Sequence, residues 1–123
     1  MKKLLLNEMQ TNELVDVYVQ IGILQYSALD DSKISKYNRL YDEKRKIEEE
    51  MRARPGDERR ALMVLYGYPN MQVRLNAATA TLAIAPEPAR RMLEEIRASG
   101  WPPQAGAAGM RVRRLDDGTF KPK

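Results

Sequence analysis

Apolar residues recur at spacings of three and four over most of the chain, between short segments rich in proline, glycine and aspartate. From residue 11 to residue 29 they form one stripe, made of Leu14, Val17, Tyr18, Ile21, Leu24 and Ala28. This spacing is typical of an amphipathic helix, and no segment alternates with the period of two that a half-buried strand requires. The pattern therefore predicts an all-α fold.

A second helix is predicted over residues 32–53, where Pro55-Gly56 follows as a stop signal. Six apolar residues form its predicted inner face: Ile34, Tyr37, Leu40, Tyr41, Ile47 and Met51. The other face is charged, as on a solvated helix. Adjacent side chains of a helix point about 100° apart, so the three glutamates of Glu48–Glu50 do not converge on one ion. We expect no metal site.

The middle of the chain contains three shorter predicted helices. Asp57 is a good N-cap for the first, and Gly67 ends it at a position where a left-handed residue is expected. Pro69-Asn70 opens the next, which continues to about residue 85. Pro86 fits the first turn of the last helix. Four residues form the buried face of that helix: Ala89, Met92, Leu93 and Ile96.

Residues 101–123 form a basic appendage rich in proline and glycine. They contain five basic and two acidic residues and thus hold most of the net charge of +4. A short helix is expected over residues 104–115, although its two internal glycines each cost about 1 kcal/mol. We expect Trp101 to dock on the core, because its indole carries a large apolar area, and the residues after Gly118 to be loose.

Residues 69–96 read PNMQVRLNAATATLAIAPEPARRMLEEI. This segment resembles the second helix of a HEAT repeat followed by the first helix of the next repeat. The matching positions are Pro69, Asn70, Val73, Arg74, Ala77, Ala78, Ala80 and Ile84. Two residues depart from the pattern: Asn70, where an acid is usual, and Thr81, where leucine is usual. The resemblance implies that Ala77 and Ala78 are buried and that Arg74 pairs with a carboxylate. The candidate carboxylates are those of Asp57, Glu58 and Glu94.

The resemblance implies a short right-handed solenoid of helical hairpins, HEAT-like or armadillo-like, with about five main helices. We expect one domain over residues 1–123. It comprises a helical hairpin over 1–56, HEAT-like helices over 57–100 and the basic tail over 101–123. The whole chain also resembles a family of small bacterial helical proteins of unknown function with an armadillo-like fold, and that resemblance implies no activity.

The composition removes most catalytic chemistry. The chain contains no cysteine and no histidine, which excludes disulfides, zinc thiolate sites and histidine-activated nucleophiles. We therefore expect neither an enzyme nor a bound cofactor. The apolar run of the MKKLLL start is shorter than a secretory segment needs. No stretch is long enough to span a bilayer, so we expect a cytoplasmic protein.

Two classes of function fit this pattern. Faces of helical repeats usually bind other macromolecules, which predicts a non-catalytic protein-interaction module of antidote or accessory type. The alternative is nucleic-acid binding through arginines of a helical groove, and an enzyme comes third. The candidate interaction residues are Tyr68, Arg111, Arg113 and Arg114. Tyr68 lies in a turn, where it either faces a partner or covers the edge of the core. The oligomeric state stays open.

Overall fold

The computed structural model describes residues 5–123, and this part of the chain is helical without any strand. The α-helices are α1 (Thr11–Asp30), α2 (Ile34–Ala53), α3 (Met71–Ala80), α4 (Pro86–Ser99) and α5 (Gln104–Asp116). Two 3-10 helices span Leu6–Glu8 and Glu58–Gly67. Residues 1–4, which begin the MKKLLL segment, lie outside the described residues. The prediction of an all-α fold is confirmed. None of the described helices combines the length and apolarity needed to cross a bilayer.

The chain divides into two compact units, Met1–Ala61 and Leu62–Lys123. In the first unit, α1 and α2 pack together as a helical hairpin joined by a short turn. In the second unit, α4 packs against both α3 and α5, and α3 also touches α5. Hairpins with short connections are the usual way for neighbouring helices to bury their apolar faces.

The buried face of α1 is narrower than its apolar stripe. Four predicted residues are buried: Leu14, Tyr18, Ile21 and Ala28. Val17 and Leu24 are exposed, so their predicted burial is wrong. These two lie seven residues apart and therefore share one edge of the stripe, beyond the surface that α2 covers. Gln25, a polar residue, takes an inner position and is fully buried.

The inner face of α2 also differs from the apolar pattern. Leu40, Ile47 and Met51 are buried as predicted, and Tyr37 is half-buried. Ile34 is 58% exposed, and Tyr41 is exposed too, so both predictions are wrong. Ile34 is the first residue of α2, next to the turn that joins the two helices, and Tyr41 is rotated about 100° from Leu40. The inner position one turn after Leu40 belongs to a charged residue, Lys44, which is buried.

Arg54 joins the end of α2 to the segment before α1. Its side chain donates to the carbonyl oxygens of Leu6 (3.0 Å) and Met9 (2.6 Å). It also pairs with Glu50 at 2.8 Å and Glu58 at 3.3 Å. These contacts satisfy main-chain carbonyls that precede the first helix, and they fix the open end of the hairpin.

The third predicted helix is a 3-10 helix. The chain turns after α2 with positive φ at Gly56 (79°) and at Asp57 (53°). The Asp57 carboxylate accepts hydrogen bonds from the main-chain N–H of Arg59 (3.2 Å) and from its guanidinium (2.9 and 2.6 Å). Asp57 thus holds the start of the element as predicted. Gly67 has no positive φ, so the left-handed stop predicted there is wrong. Short 3-10 segments are common as connectors.

Helix α3 begins as predicted and ends early. The side chain of Asn70 accepts hydrogen bonds from the main-chain N–H groups of Gln72 (2.9 Å) and Val73 (3.2 Å), a regular N-cap. The helix ends at Ala80 rather than near residue 85. There the buried hydroxyl of Thr81 donates to the Ala77 carbonyl at 2.8 Å, a bond that competes with the regular helical pattern.

The core of the second unit lies where α3, α4 and α5 meet. It consists of Ala78, Leu82, Ala89, Met92, Leu93, Ile96, Ala108 and Val112. The four α4 residues predicted to be buried are all among them. Ala77 and Ala78 are fully buried as well, which confirms the small-residue face of α3. Helix α4 ends at Gly100, whose φ of 68° is left-handed.

The basic appendage packs through other residues than predicted. Trp101 is 51% exposed, so its predicted docking on the core is wrong. Helix α5 supplies Ala108 and Val112 to the core instead. Phe120 is half-buried against the same core, and its N–H donates to the carbonyl of Arg114 at 3.0 Å. The segment after Gly118 thus folds back on α5 rather than staying loose.

Candidate interaction groove

A surface groove with a volume of about 680 Å³ runs along one face of α5 in the second unit. It is lined by α5, by the residue directly after α5, Asp117, and by one residue of α4, Arg97. The α5 residues of the lining are Ala105, Gly106, Gly109, Met110, Val112, Arg113 and Asp116. Gly106, Gly109 and Arg113 follow one another at three and four residues, which places them on one face of the helix. The groove therefore exists because this face of α5 carries small residues.

The floor of the groove is formed by two glycines that internal packing does not require. A Cβ atom added at Gly106 would meet no other atom of the described chain within 4 Å. One added at Gly109 would lie 3.5 Å from Cδ of Arg97, an ordinary van der Waals distance. Beside this floor the apolar side chain of Met110 is 47% exposed. The groove is open both to solvent and to larger side chains.

The two carboxylates of the groove already have partners. Asp116 accepts hydrogen bonds from the Arg90 guanidinium, 2.7 Å to Oδ1 and 3.1 Å to Oδ2. These bonds hold the pKa of the Asp116 carboxyl below its usual range. Asp117 accepts from the main-chain N–H of Thr119 (2.9 Å) and from its hydroxyl (2.7 Å). Those bonds, with smaller help from nearby arginines, lower the pKa of Asp117.

The two guanidiniums of the groove differ from its two carboxylates in whether they have hydrogen-bond partners. Within residues 5–123, neither the Arg97 nor the Arg113 side chain makes an ion pair or a hydrogen bond. Their charges still reach the carboxylates, since Arg97 contributes to the lowered pKa of Asp116 and Arg113 to that of Asp117. The groove thus presents two arginine side chains with unused donors.

The four predicted interaction residues are not gathered at one place. Arg113 lines the groove. The guanidinium of Arg111 lies over the Phe120 ring, 4.1 Å from its centroid, where it helps to hold the folded-back segment. Arg114 is exposed and does not line the groove. Tyr68 is half-buried in its turn. An interaction role for each of them stays a prediction.

Within the described part of the chain, Arg74 does not pair with a carboxylate, so the ion pair expected from the HEAT pattern is wrong. Its Nε donates to the main-chain carbonyl of Tyr68, six residues earlier. The turn before α3 leaves this carbonyl outside any regular helical bond, and the guanidinium satisfies it. Arg74 therefore stabilises the turn that leads into α3. The carbonyl that it binds belongs to Tyr68, which was predicted as a candidate interaction residue.

The α1–α2 hairpin contains a polar cluster that the sequence did not reveal. The Tyr18 hydroxyl donates to Oε2 of Glu48 at 2.6 Å, and the Lys44 ammonium donates to the same oxygen at 2.8 Å. Lys44 also lies 4.7 Å from the centroid of the Tyr41 ring. Burial, followed by the charge of Glu48, raises the pKa of the Tyr18 hydroxyl well above its ordinary value. The only signal in the sequence was a Lys–Glu pair four residues apart on α2.

A buried chain of amides ties α5 to α3. Nε2 of Gln104 donates to Oε1 of Gln72 at 3.0 Å, and Nε2 of Gln72 donates to Oδ1 of Asn76 at 2.9 Å. All three side chains are buried. This chain of amides positions the first turn of α5, and thus the floor of the groove.

The three glutamates of α2 diverge toward Lys44, Arg45 and Arg54. No cluster of metal-ligating side chains is found in residues 5–123.

The chain is similar to proteins whose role is not assigned. The crystal structure of the protein RPA1889 from Rhodopseudomonas palustris CGA009 has 52% sequence identity and a TM-score of 0.95. The similarity covers 98% of this chain and 100% of that one. No curated protein matches the chain. Residues 12–116 match the model of a family described as a domain of unknown function, DUF2019. This match spans most of the sequence, so the chain belongs to the DUF2019 family.

Proposed function

We propose that this protein is a non-catalytic protein-interaction module and that a partner binds in the α5 groove. The observation that carries the proposal is the open glycine floor. Gly106 and Gly109 each cost about 1 kcal/mol inside a helix. No atom of the described chain lies within 4 Å of a Cβ added at Gly106, and at Gly109 the nearest atoms are those of the Arg97 side chain, at ordinary van der Waals distance. Glycine is the residue that lets another backbone approach a helix closely. A partner in the groove would use that space.

The fold analogy points in the same direction. We propose that the helices form a short HEAT-like or armadillo-like solenoid, a class of fold that usually presents its faces to other macromolecules. The α1–α2 hairpin and the buried Ala77–Ala78 pair support this reading. Arg74 does not follow the family pattern. A cytoplasmic protein of antidote or accessory type would act by covering a surface of its partner, which needs neither histidine nor cysteine.

Protein fits the groove better than nucleic acid, the alternative. Binding to a phosphate backbone favours unbalanced positive charge and aromatic side chains for stacking. Asp116 and Asp117 lie in the groove beside its arginines, and no aromatic residue is part of its lining. Mixed charge next to an exposed apolar residue such as Met110 is common at protein interfaces.

Site-specific photocrosslinking in cells tests the proposal. A benzophenone amino acid replaces Met110, an exposed residue beside the glycine floor, in the full chain, and a matched variant carries it at Glu95. Glu95 is exposed on α4 and points about 160° away from Arg97, which lines the groove. We expect a protein adduct at Met110 that is absent at Glu95, and the purified partner should bind the parent protein. Identical adducts from both positions, or an adduct that nuclease removes, would overturn the proposal.

A further inference from the structure

We infer that the α5 groove recognises an acidic polypeptide segment, and that Arg97 and Arg113 hold its carboxylates. The inference rests on the proposed function and specifies the chemistry of the partner. It starts from the four charged side chains that line the groove. Asp116 is held by Arg90 and Asp117 by Thr119. The hydrogen-bond donors still available in the groove are therefore those of its two guanidiniums, whose planar arrangement of N–H groups matches a carboxylate.

The placement of the two arginines sets the spacing of the acids they would bind. The stem of Arg97 passes over α5 at Gly109, since its Cδ and Cγ lie 3.5 and 3.6 Å from where a Cβ of that residue would be. Arg113 follows Gly109 by four residues, one turn further along the same face. The Arg97 stem and the Cβ atom of Arg113 thus lie at adjacent turns of α5, and Cβ positions four residues apart on a helix are about 5–6 Å apart. Acidic residues four apart on a partner helix have this spacing.

The rest of the groove favours a polypeptide over a small anion. The floor at Gly106 is open, and the side chain of Met110 is half-exposed beside it. A segment that carries an apolar residue next to its acids would cover Met110 while its carboxylates reach Arg97 and Arg113. A phosphate ion would use the guanidiniums only. A nucleic acid would bring bases that stack on aromatic side chains, and no aromatic residue lines the groove.

An NMR titration of the full-length, ¹⁵N-labelled protein tests the inference. The probe is a synthetic helical peptide with glutamates four residues apart beside leucines, and its matched control carries glutamine in place of each glutamate. We expect the Glu peptide to shift the amide signals of Gly106 and Gly109. The Gln peptide should bind roughly a hundredfold more weakly, because a charge-assisted hydrogen bond worth about tenfold is lost at each of the two arginines. Inorganic phosphate should not reproduce these shifts.

Four variants assign the effect to the groove. Arg97→Gln and Arg113→Gln should each weaken binding of the Glu peptide about tenfold. Arg114→Gln removes the same charge from an exposed residue outside the groove, and affinity should change less than twofold if site geometry rather than net charge decides it. Gly106→Leu should block both peptides, and it removes a helix-destabilising glycine, so loss of folding would not explain the result. Melting temperatures check the fold of each variant.

The outcomes separate this inference from the proposed function. Equal binding of the Glu and Gln peptides, with both blocked by Gly106→Leu, would overturn the inference while the groove remains a protein site. Absence of binding by the Glu peptide overturns the inference as well, and the crosslinking result at Met110 then decides the proposed function by itself. The last outcome is a mixed-sequence oligonucleotide that binds more tightly than the Glu peptide and loses affinity in both Arg97→Gln and Arg113→Gln. That result would show that the groove binds nucleic acid rather than an acidic segment.

Discussion

Replacing Lys44 with methionine should destabilise the α1–α2 hairpin by about 2 kcal/mol. The side chains of Lys44 and Glu48 are 7% and 18% exposed, and the ammonium lies 2.8 Å from the carboxylate. Removal of one partner costs about 3–5 kcal/mol for a fully buried pair, whereas an exposed pair contributes about 0–1 kcal/mol. Glu48 retains some contact with water, so the expected cost lies between these limits. Methionine preserves most of the aliphatic volume, which limits any cavity.

Tyr18→Phe removes the second donor to the same oxygen. A hydrogen bond to a charged acceptor contributes about 1.5–3 kcal/mol, and we expect a cost at the lower end because Lys44 still neutralises Glu48. Both donors bind Oε2 of Glu48, so the two changes should not be additive. We expect a coupling energy of about 1 kcal/mol in the double-mutant cycle.

Urea unfolding, followed by far-UV circular dichroism, measures these costs at neutral pH. The single tryptophan, Trp101, belongs to the second unit, so its fluorescence shows whether that unit unfolds in the same transition. Leu24→Ala, at an exposed position of α1, is the control for a change on the hairpin. A Lys44→Met variant as stable as the parent, or strictly additive single changes, would refute the argument that this cluster is a coupled stabilising element.

The same cluster gives a pH dependence of known sign. The pKa of Tyr18 in the folded protein lies above the ordinary value of 10.0. A raised pKa means that the contribution of Tyr18 is complete below pH 10 and is lost as the pH rises from there through the folded pKa. Stability should therefore fall above about pH 10. In Tyr18→Phe this loss should be smaller, so the two unfolding curves should converge at alkaline pH.

Four further changes test the packing of the second unit by thermal or urea unfolding. Ala77→Leu should cost about 1–3 kcal/mol through overpacking, because Ala77 is fully buried; an unchanged midpoint would contradict the small-residue face. Asn70→Ala should cost about 1 kcal/mol, since it removes the α3 cap, whereas Asn70→Asp should retain most of the stability. Trp101→Ala should cost about 1 kcal/mol or less, because half of the side chain is already in water. Gly106→Ala should raise stability by about 0.5–1 kcal/mol, and a decrease would show that the space above it is not free.

The ends of helices were largely predictable because they depend on local chemistry. Asn70 caps α3, Pro86 begins α4 and Gly100 ends it, as their sequence positions indicate. The end of α3 was not predictable, because the Thr81 hydroxyl that bonds to the last turn also lies 2.5 Å from the Tyr66 hydroxyl. That neighbour is fifteen residues away and comes close only in the folded chain.

The buried faces were less predictable, since periodicity identifies apolar residues but not the width of the surface available to cover them. Ile34 and Tyr41 continue the apolar stripe of α2 and are nevertheless exposed. Lys44 lies inside because its ammonium group donates to Glu48, which also accepts a hydrogen bond from Tyr18 of α1. A polar residue whose partner comes from another helix cannot be distinguished from a surface residue by its spacing alone.

The candidate site was predictable only in part. Arg113 was identified through the excess charge of the C-terminal segment, and it lines the groove. Arg97 was not singled out, since its nearest acidic neighbours in the sequence, Glu94 and Glu95, make that part of α4 look balanced. Gly106 and Gly109 were counted only as costs to a helix. Their meaning depends on the empty space above them, which the sequence does not contain.

The most perturbed titratable group of the described chain is not where we place the function. Strongly shifted pKa values often mark functional sites, and Tyr18 has such a shift. Its cause, however, is burial beside Glu48, and the hydroxyl, the carboxylate and the Lys44 ammonium satisfy one another. The arginines of the groove show the opposite condition, because they have exposed donors and no intramolecular acceptor within residues 5–123. Recognition of a partner requires unsatisfied groups that a ligand can reach, and this requirement favours the groove over the hairpin cluster.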